Sequence, residues 1–168
     1  MDCCIRCDYA PLGEFVMDVI KRVHGSKDSL LKRFISYCRR KSPWILHYNS
    51  GGCNGCVLEI LSAISPRNDL ERFGILLKGS PRHADILLVD GPITIKTKRR
   101  LINIYKQMTE PKFVMAIGSC ALSKGIYYDC YNVCGPLDKI IPVDVWVPGC
   151  PPRPEAIIYG MLKILEKI

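Results

Sequence analysis

The chain has 168 residues, 48% of them hydrophobic, enough for one compact domain with a proper core and a small appendage. Its apolar runs, such as Ile86-Leu87-Leu88-Val89, are strand-sized, which excludes a bilayer-spanning helix. The formal charge of +8 comes largely from the first 43 residues and from 96–112, with Arg39-Arg40-Lys41 and Lys98-Arg99-Arg100 the densest runs. Such charge could attract nucleic acid, an acidic protein or anionic lipid. Both runs sit beside helical patterns and lack interleaved aromatics, so solvated helix faces are the simpler reading and no nucleic-acid partner is expected.

The chain opens with Cys3-Cys4-Ile5-Arg6-Cys7, which suggests a second metal site but supplies no fourth local ligand. Leu12, Phe15, Val16, Val19, Ile20 and Val23 then recur at helical spacing opposite Glu14, Asp18, Lys21 and Arg22, the pattern of an amphipathic helix. Gly25 to Asp28 is a break, and Asp28 or Ser29 caps a second helix running to about Arg40. Cys38 falls on its apolar stripe with Leu30, Leu31, Phe34 and Ile35 and reads as a core residue. Residues 1–41 are expected to form a helical extension and 42–168 the main domain.

Pro43 ends that helix, and Trp44 to Tyr48 reads as the first strand. The loop Asn49-Ser50-Gly51-Gly52 follows, with glycines that let backbone N–H groups approach a ligand. Val57, Leu58, Leu61 and Ile64 with Cys56 suggest a helix starting at this loop, and Glu59 on its first turn either suits the positive helix end or handles protons. Pro66 to Asp69 breaks it. Phe73 to Leu77 and Ala84 to Val89 read as strands, with Pro81-Arg82-His83 either a hydrogen-bonding pair near a site or a solvated turn.

A helix over Thr97 to Met108 is predicted to turn Leu101, Ile102, Tyr105 and Met108 inward, with Pro111 as its stop. Phe113 to Ile117 is the next strand, and Gly125 to Pro142 the longest irregular stretch. Cys130 and Cys134, within that stretch, have poor ligand spacing and read as non-ligating. Val143 to Val147 is a further strand, and Glu155 to Ile168 a last helix with Ile157, Ile158, Met161, Leu162 and Leu165 inward. This alternation predicts an α/β fold: a three-layer, mostly parallel, flavodoxin-like sheet with an N-terminal helical extension.

Cys53 and Cys56, then Cys120, then Cys150 each follow directly on one of these strands. If the strands are parallel, loops leaving their carboxyl ends meet over one crevice. Thiolates gathered from one Cys-x-x-Cys pair, one isolated cysteine and one Cys-Pro suit an iron–sulfur cluster. Structural zinc also takes four thiolates, usually as two local knuckles, and a zinc-stabilised binding protein remains the reading from another class. Nothing in the first residues resembles a secretory signal, so a reducing compartment is expected and disulfides are disfavoured.

From about Ser42 onward the residues resemble a known family, the small subunit of [NiFe] hydrogenases and the related 20 kDa iron–sulfur subunit of respiratory complex I. The likeness is carried by Cys53-Asn54-Gly55-Cys56-Val57-Leu58-Glu59, Asp69-Leu70-Glu71-Arg72-Phe73-Gly74 and Gly79-Ser80-Pro81-Arg82-His83-Ala84-Asp85. Gly118-Ser119-Cys120, Ile141-Pro142-Val143-Asp144-Val145 and Val147-Pro148-Gly149-Cys150-Pro151-Pro152-Arg153-Pro154-Glu155 complete it. The resemblance implies that Cys53, Cys56, Cys120 and Cys150 ligate one [4Fe–4S] cluster. That cluster would be the last relay before a catalytic site in a large partner subunit, so no catalytic residue is expected in this chain. Cys53-Asn54-Gly55-Cys56, in place of adjacent cysteines, resembles the membrane-bound energy-converting hydrogenases, and the equivalent complex I-like subunit serving a quinone or other acceptor is the alternative.

The implied partners are a [NiFe]-type large subunit, a ferredoxin-type subunit and membrane subunits of the same complex. The implied location is peripheral, on the cytoplasmic face of the cell membrane. Gly51, Gly52, Gly149, Pro151 and Pro152 are expected to form a flat docking surface around the thiols. Cys3, Cys4, Cys7, Cys38, Cys130 and Cys134 receive no role from the family pattern.

Overall fold

In a computed structural model, residue 37 and residues 39–167 are described. The expected helices before Tyr37, Cys38 and the N-terminal cysteines lie outside the described residues. β1 (Trp44–Asn49) leads into α1 (Gly55–Ile64), a 3-10 turn (Leu70–Phe73) and the short β2 (Leu76–Leu77). β3 (Ile86–Asp90), β4 (Ile93–Thr94), α2 (Ile95–Gln107), β5 (Phe113–Ile117) and α3 (Gly118–Ser123) follow. β6 (Val133–Gly135), β7 (Val145–Val147) and α4 (Pro154–Lys167) complete the order.

The main sheet has five strands in the order β2-β1-β3-β5-β7, and every pairing in it is parallel. Counting only its own strands, this is the flavodoxin-like order, with a switch point between β1 and β3 where the chain leaves in opposite directions. Side chains alternate between the faces with period two. Ile86, Leu88, Met115 and Ile117 face Ile60 and Ala63 of α1 and Ile157, Met161 and Ile164 of α4. Leu87, Val89, Val114 and Ala116 face Leu101 and Tyr105 of α2 and Ala121 of α3. β3, buried along its whole length, lies between the two layers. Burying each of its large aliphatic side chains is worth about 1.5–3 kcal/mol before entropy is charged.

Register is what positions the site. Asn49 pairs with Asp90, Asp90 with Ile117, and Ile117 with Val147, so the strands end level across the sheet. The loops holding Cys53, Cys120 and Cys150 therefore leave from one edge.

Several local expectations shift. The expected strand at Phe73 to Leu77 shortens to Leu76 and Leu77: Phe73 closes the 3-10 turn, and Gly74 sits at φ 78, where a side chain would collide with the Lys41 carbonyl oxygen. α1 buries Ile60 and Ala63, whereas Leu58 and Leu61 are 66% and 52% exposed and lie on its outward face. Ile102 is half-buried and Ile104 joins the core instead. Leu162 likewise is half-buried while Ile164 is buried. The stretch 125–142 contains β6, which pairs antiparallel with β4.

Candidate functional site

The loop after β1 is held by side chains rather than open to a ligand. Asn49 Oδ1 accepts from the Gly51 and Gly52 N–H groups at 2.8 and 2.9 Å, and Asn49 Nδ2 donates to Asn54 Oδ1 at 2.9 Å. The donors expected to approach a bound group are thus spent on an Asx-type turn. Buried Ser50 donates from Oγ toward the carbonyls of Asp90 (2.7 Å) and Gly91 (2.9 Å), tying the β1 loop to the β3 loop. Gly91, at φ 80, needs to be glycine: a Cβ would stand 2.5 Å from Gly52 N. Asn54 then starts α1 in the left-handed region without a side-chain cap. Glu59 is the fifth helical residue and not in the first turn, so the helix-end role expected for it is displaced.

The four thiols named from sequence stand in the segments that leave these strand ends. Burial first, then Asp90, then Cys120, Cys53 and Cys150, push the Cys56 thiol up to about 12. Cys120 is likewise raised, by burial and then by Cys150, Cys53 and Asp90. Cys56 therefore feels the three other thiols, and Cys120 feels Cys150 and Cys53. Glycines give the sulfurs room. A Cβ on Gly118 would lie 2.6 Å from Cys56 Sγ, one on Gly125 3.2 Å from Cys120 Sγ, and one on Gly55 3.5 Å from Cys53 Sγ. Asp90 is 1% exposed and its Oδ1 lies 2.7 Å from His47 Nε2, a partner that offsets the cost of burying a carboxylate.

Among the described residues no three His, Cys, Asp or Glu side chains close on a point as ligands of a single metal ion do. Cys130 is exposed and Cys134 half-buried; neither acts on Cys56 or Cys120. Of the expected flat surface, Gly51 and Pro151 are exposed, but Pro152 is buried because Gly149 folds onto it, leaving no space for a Cβ. Pro81-Arg82-His83 is a turn at the amino end of the sheet, where the His83 ring stands 6.0 Å from Trp44. A groove of about 490 Å³ between β7 and the end of α4, lined by Asp144, Trp146, Lys163 and Glu166, also lies at that end.

Sequence reasoning missed the outward Leu58 and Leu61, one helical turn from Cys56. The signal available was their apolarity, but α1 is apolar all round and periodicity does not choose its inner face.

A flavodoxin-order parallel sheet whose strands send cysteine-bearing segments from their carboxyl ends defines an α/β protein with its candidate site at that end. Residues 53–164 match the family described as NADH ubiquinone oxidoreductase, 20 kDa subunit, and the chain belongs to that family. It is 51% identical over 147 residues to the probable membrane-bound hydrogenase subunit mbhJ of Pyrococcus furiosus, covering 86% of this chain and 88% of that one. To an NADH-quinone oxidoreductase subunit of Citrifermentans bemidjiense it is 40% identical, covering 94% of this chain and 85% of that one. A chain of the membrane-bound sulfane sulfur reductase, an archaeal respiratory membrane complex, superposes with a TM-score of 0.70 at 45% identity, covering 79% of this chain and 73% of that one. These relatives are subunits of oxidoreductase complexes, and this chain is a protein of that class. Among the described residues no helix is long and apolar enough to cross a membrane.

Proposed function

We propose that this chain is the electron-relaying subunit of a membrane-bound hydrogenase-type complex, with Cys53, Cys56, Cys120 and Cys150 holding one [4Fe–4S] cluster. The observation that supports the reading is that the segments bearing these cysteines leave the level, in-register ends of parallel strands, where Cys120, Cys53 and Cys150 all bear on Cys56. Their softness suits iron, and their spacing, one Cys-x-x-Cys pair with two isolated cysteines, suits a multi-iron group better than the paired knuckles of structural zinc. When bound, such a cluster supplies one-electron chemistry.

The chain's own residues do the rest. The cysteines must shed their protons to ligate, which burial opposes at Cys56 and iron drives. Gly55, Gly118 and Gly125 leave the sulfurs space, and the Asn49 and Ser50 bonds hold the loops rigid. Asp90 places a buried carboxylate close enough to bear on Cys56 and Cys120.

Electrons would arrive from a ferredoxin-type subunit and leave to a nickel–iron site in a large partner subunit. The partner would seat over the thiol edge, where outward Leu58 and Leu61 add apolar contact. Attachment to the cytoplasmic face of the membrane would come through other subunits. The hydrogenase branch is favoured by Cys53-Asn54-Gly55-Cys56 and by the 51% identity to the mbhJ subunit. A second reading, reduction of a sulfur compound by the partner, is favoured by the 45% identity to the sulfane sulfur reductase chain.

Nickel analysis and hydrogen evolution assays on the native complex decide between them. Nickel with hydrogen evolution is expected. A nickel-free complex that reduces sulfane sulfur would replace the hydrogenase branch and leave the relay role standing.

A further inference from the structure

α2 presents a charge pattern that the helix itself does not need. Its sequence, Ile95 to Gln107, carries Lys96, Lys98, Arg99, Arg100 and Lys106 and no acidic residue. Among the described residues none of these cations forms an ion pair; the pairs present are Arg39–Asp85 and His47–Asp90. Lys96 and Lys98 occupy the second and fourth helical positions, beside the positive end of the helix dipole, where a cation is unfavourable. Lys96 and Arg100 are also like charges at i and i+4, which repel across one helical turn. Solvation would be served as well by glutamates, which the dipole would favour. The cations therefore weaken the free chain, and an anionic surface laid over them removes that penalty.

The position of the helix says which anionic surface. Its first turn rests on the cysteine loop: Thr97 Oγ1 donates to the Ser50 carbonyl at 3.0 Å, and Tyr48 OH donates to the Thr97 carbonyl at 3.1 Å. Whatever seats on Lys96, Arg99 and Arg100, all exposed, lies next to Gly51 and the thiol edge. A lipid surface would want apolar side chains beside the cations, but Leu101, Tyr105 and Met108 are buried in the core and Ile95 alone faces outward among the large apolar residues of α2. Bases of a nucleic acid would want outward aromatics, and α2's single aromatic, Tyr105, is 5% exposed.

We propose that the outward face of α2 docks an acidic ferredoxin-type electron donor, steering it to the thiol edge; this rests on the electron-relay reading above. Complementary charge of this kind raises association rates about 10–1,000-fold at low salt. The test uses the full chain carrying its cluster, and a variant with Lys96→Glu, Arg99→Glu and Arg100→Glu, whose new carboxylates suit the helix end. The probe is a reduced acidic two-cluster bacterial ferredoxin mixed with each protein in a stopped-flow instrument across a salt series. The native rate constant should fall at least about tenfold from low salt to about 0.5 M, while the variant starts at least about tenfold slower and varies little with salt. Dithionite should reduce both proteins to the same extent.

Equal ferredoxin rates for the two proteins at every salt concentration would overturn the proposal. So would a variant that keeps the ferredoxin rate but loses co-sedimentation with phosphatidylglycerol vesicles, which would make α2 a lipid contact. If dithionite reduces neither protein, the relay reading itself fails, an outcome distinct from loss of docking alone.

Discussion

Replacing Gly118 by alanine tests how tightly the fold surrounds Cys56. Gly118 sits at φ +85, where an L side chain costs about 1–2 kcal/mol. The added Cβ would also meet Cys56 Sγ at 2.6 Å, well inside contact distance, and overpacking of this kind costs about 1–3 kcal/mol. If Cys56 stays in place, the metal-free chain should lose about 2–5 kcal/mol; if its sulfur swings aside, the loss falls to the backbone part and the thiol leaves the position it holds beside Gly118. Either route should lower iron and sulfide content after anaerobic reconstitution. Gly79→Ala is the control, because a Cβ there has nothing within 4 Å, and it should change stability by less than about 0.5 kcal/mol. Urea unfolding under reductant gives the stabilities, and iron analysis the loading. Indistinguishable behaviour of the two variants in both measurements would refute the reasoning.

Ser50→Ala should cost about 1–2 kcal/mol in urea unfolding, since it removes a buried hydroxyl donor shared by the Asp90 and Gly91 carbonyls. The metal-free chain should lose stability as pH rises above 9. The unfolded Cys56 thiol ionises near 9.0 and the folded one at about 12, so between those values the unfolded state releases its proton first and is favoured. Cys56→Ala should flatten that dependence, measured as the urea midpoint at pH 8 and pH 10. Leu58→Asp with Leu61→Asp should leave folding and cluster content intact, because both side chains are exposed, yet abolish co-purification with the large partner subunit.

Much of this architecture is written in local pattern. β3 and β5 are short β-branched or aliphatic runs bounded by turn residues, and both layers of the sheet follow from their alternation. The candidate site could be named because Cys53, Cys120 and Cys150 stand just past such runs, whose in-register ends send their segments out at one edge of the sheet. What escaped depends on contacts remote in sequence. Gly74 is fixed by the Lys41 carbonyl, and β6 exists because Ile93 and Thr94 offer it a partner. The inner face of α1 is chosen by α4 and the strands beneath it, a choice that Val57, Leu58, Ile60, Leu61 and Ile64 leave open in sequence. The Gly51 and Gly52 N–H groups looked available because nothing local announces that Asn49 Oδ1 takes both.

The central claim is that Cys53, Cys56, Cys120 and Cys150 hold one [4Fe–4S] cluster, and the most direct measurement is electron paramagnetic resonance of the anaerobically reduced chain together with its iron and sulfide content. A variant with Cys3, Cys4, Cys7, Cys38, Cys130 and Cys134 all changed to Ser should keep about four irons and the reduced-cluster signal. Cys120→Ser should abolish or convert that signal in a chain that still folds. Zinc in place of iron, or a normal cluster in the Cys120→Ser variant, would contradict the account.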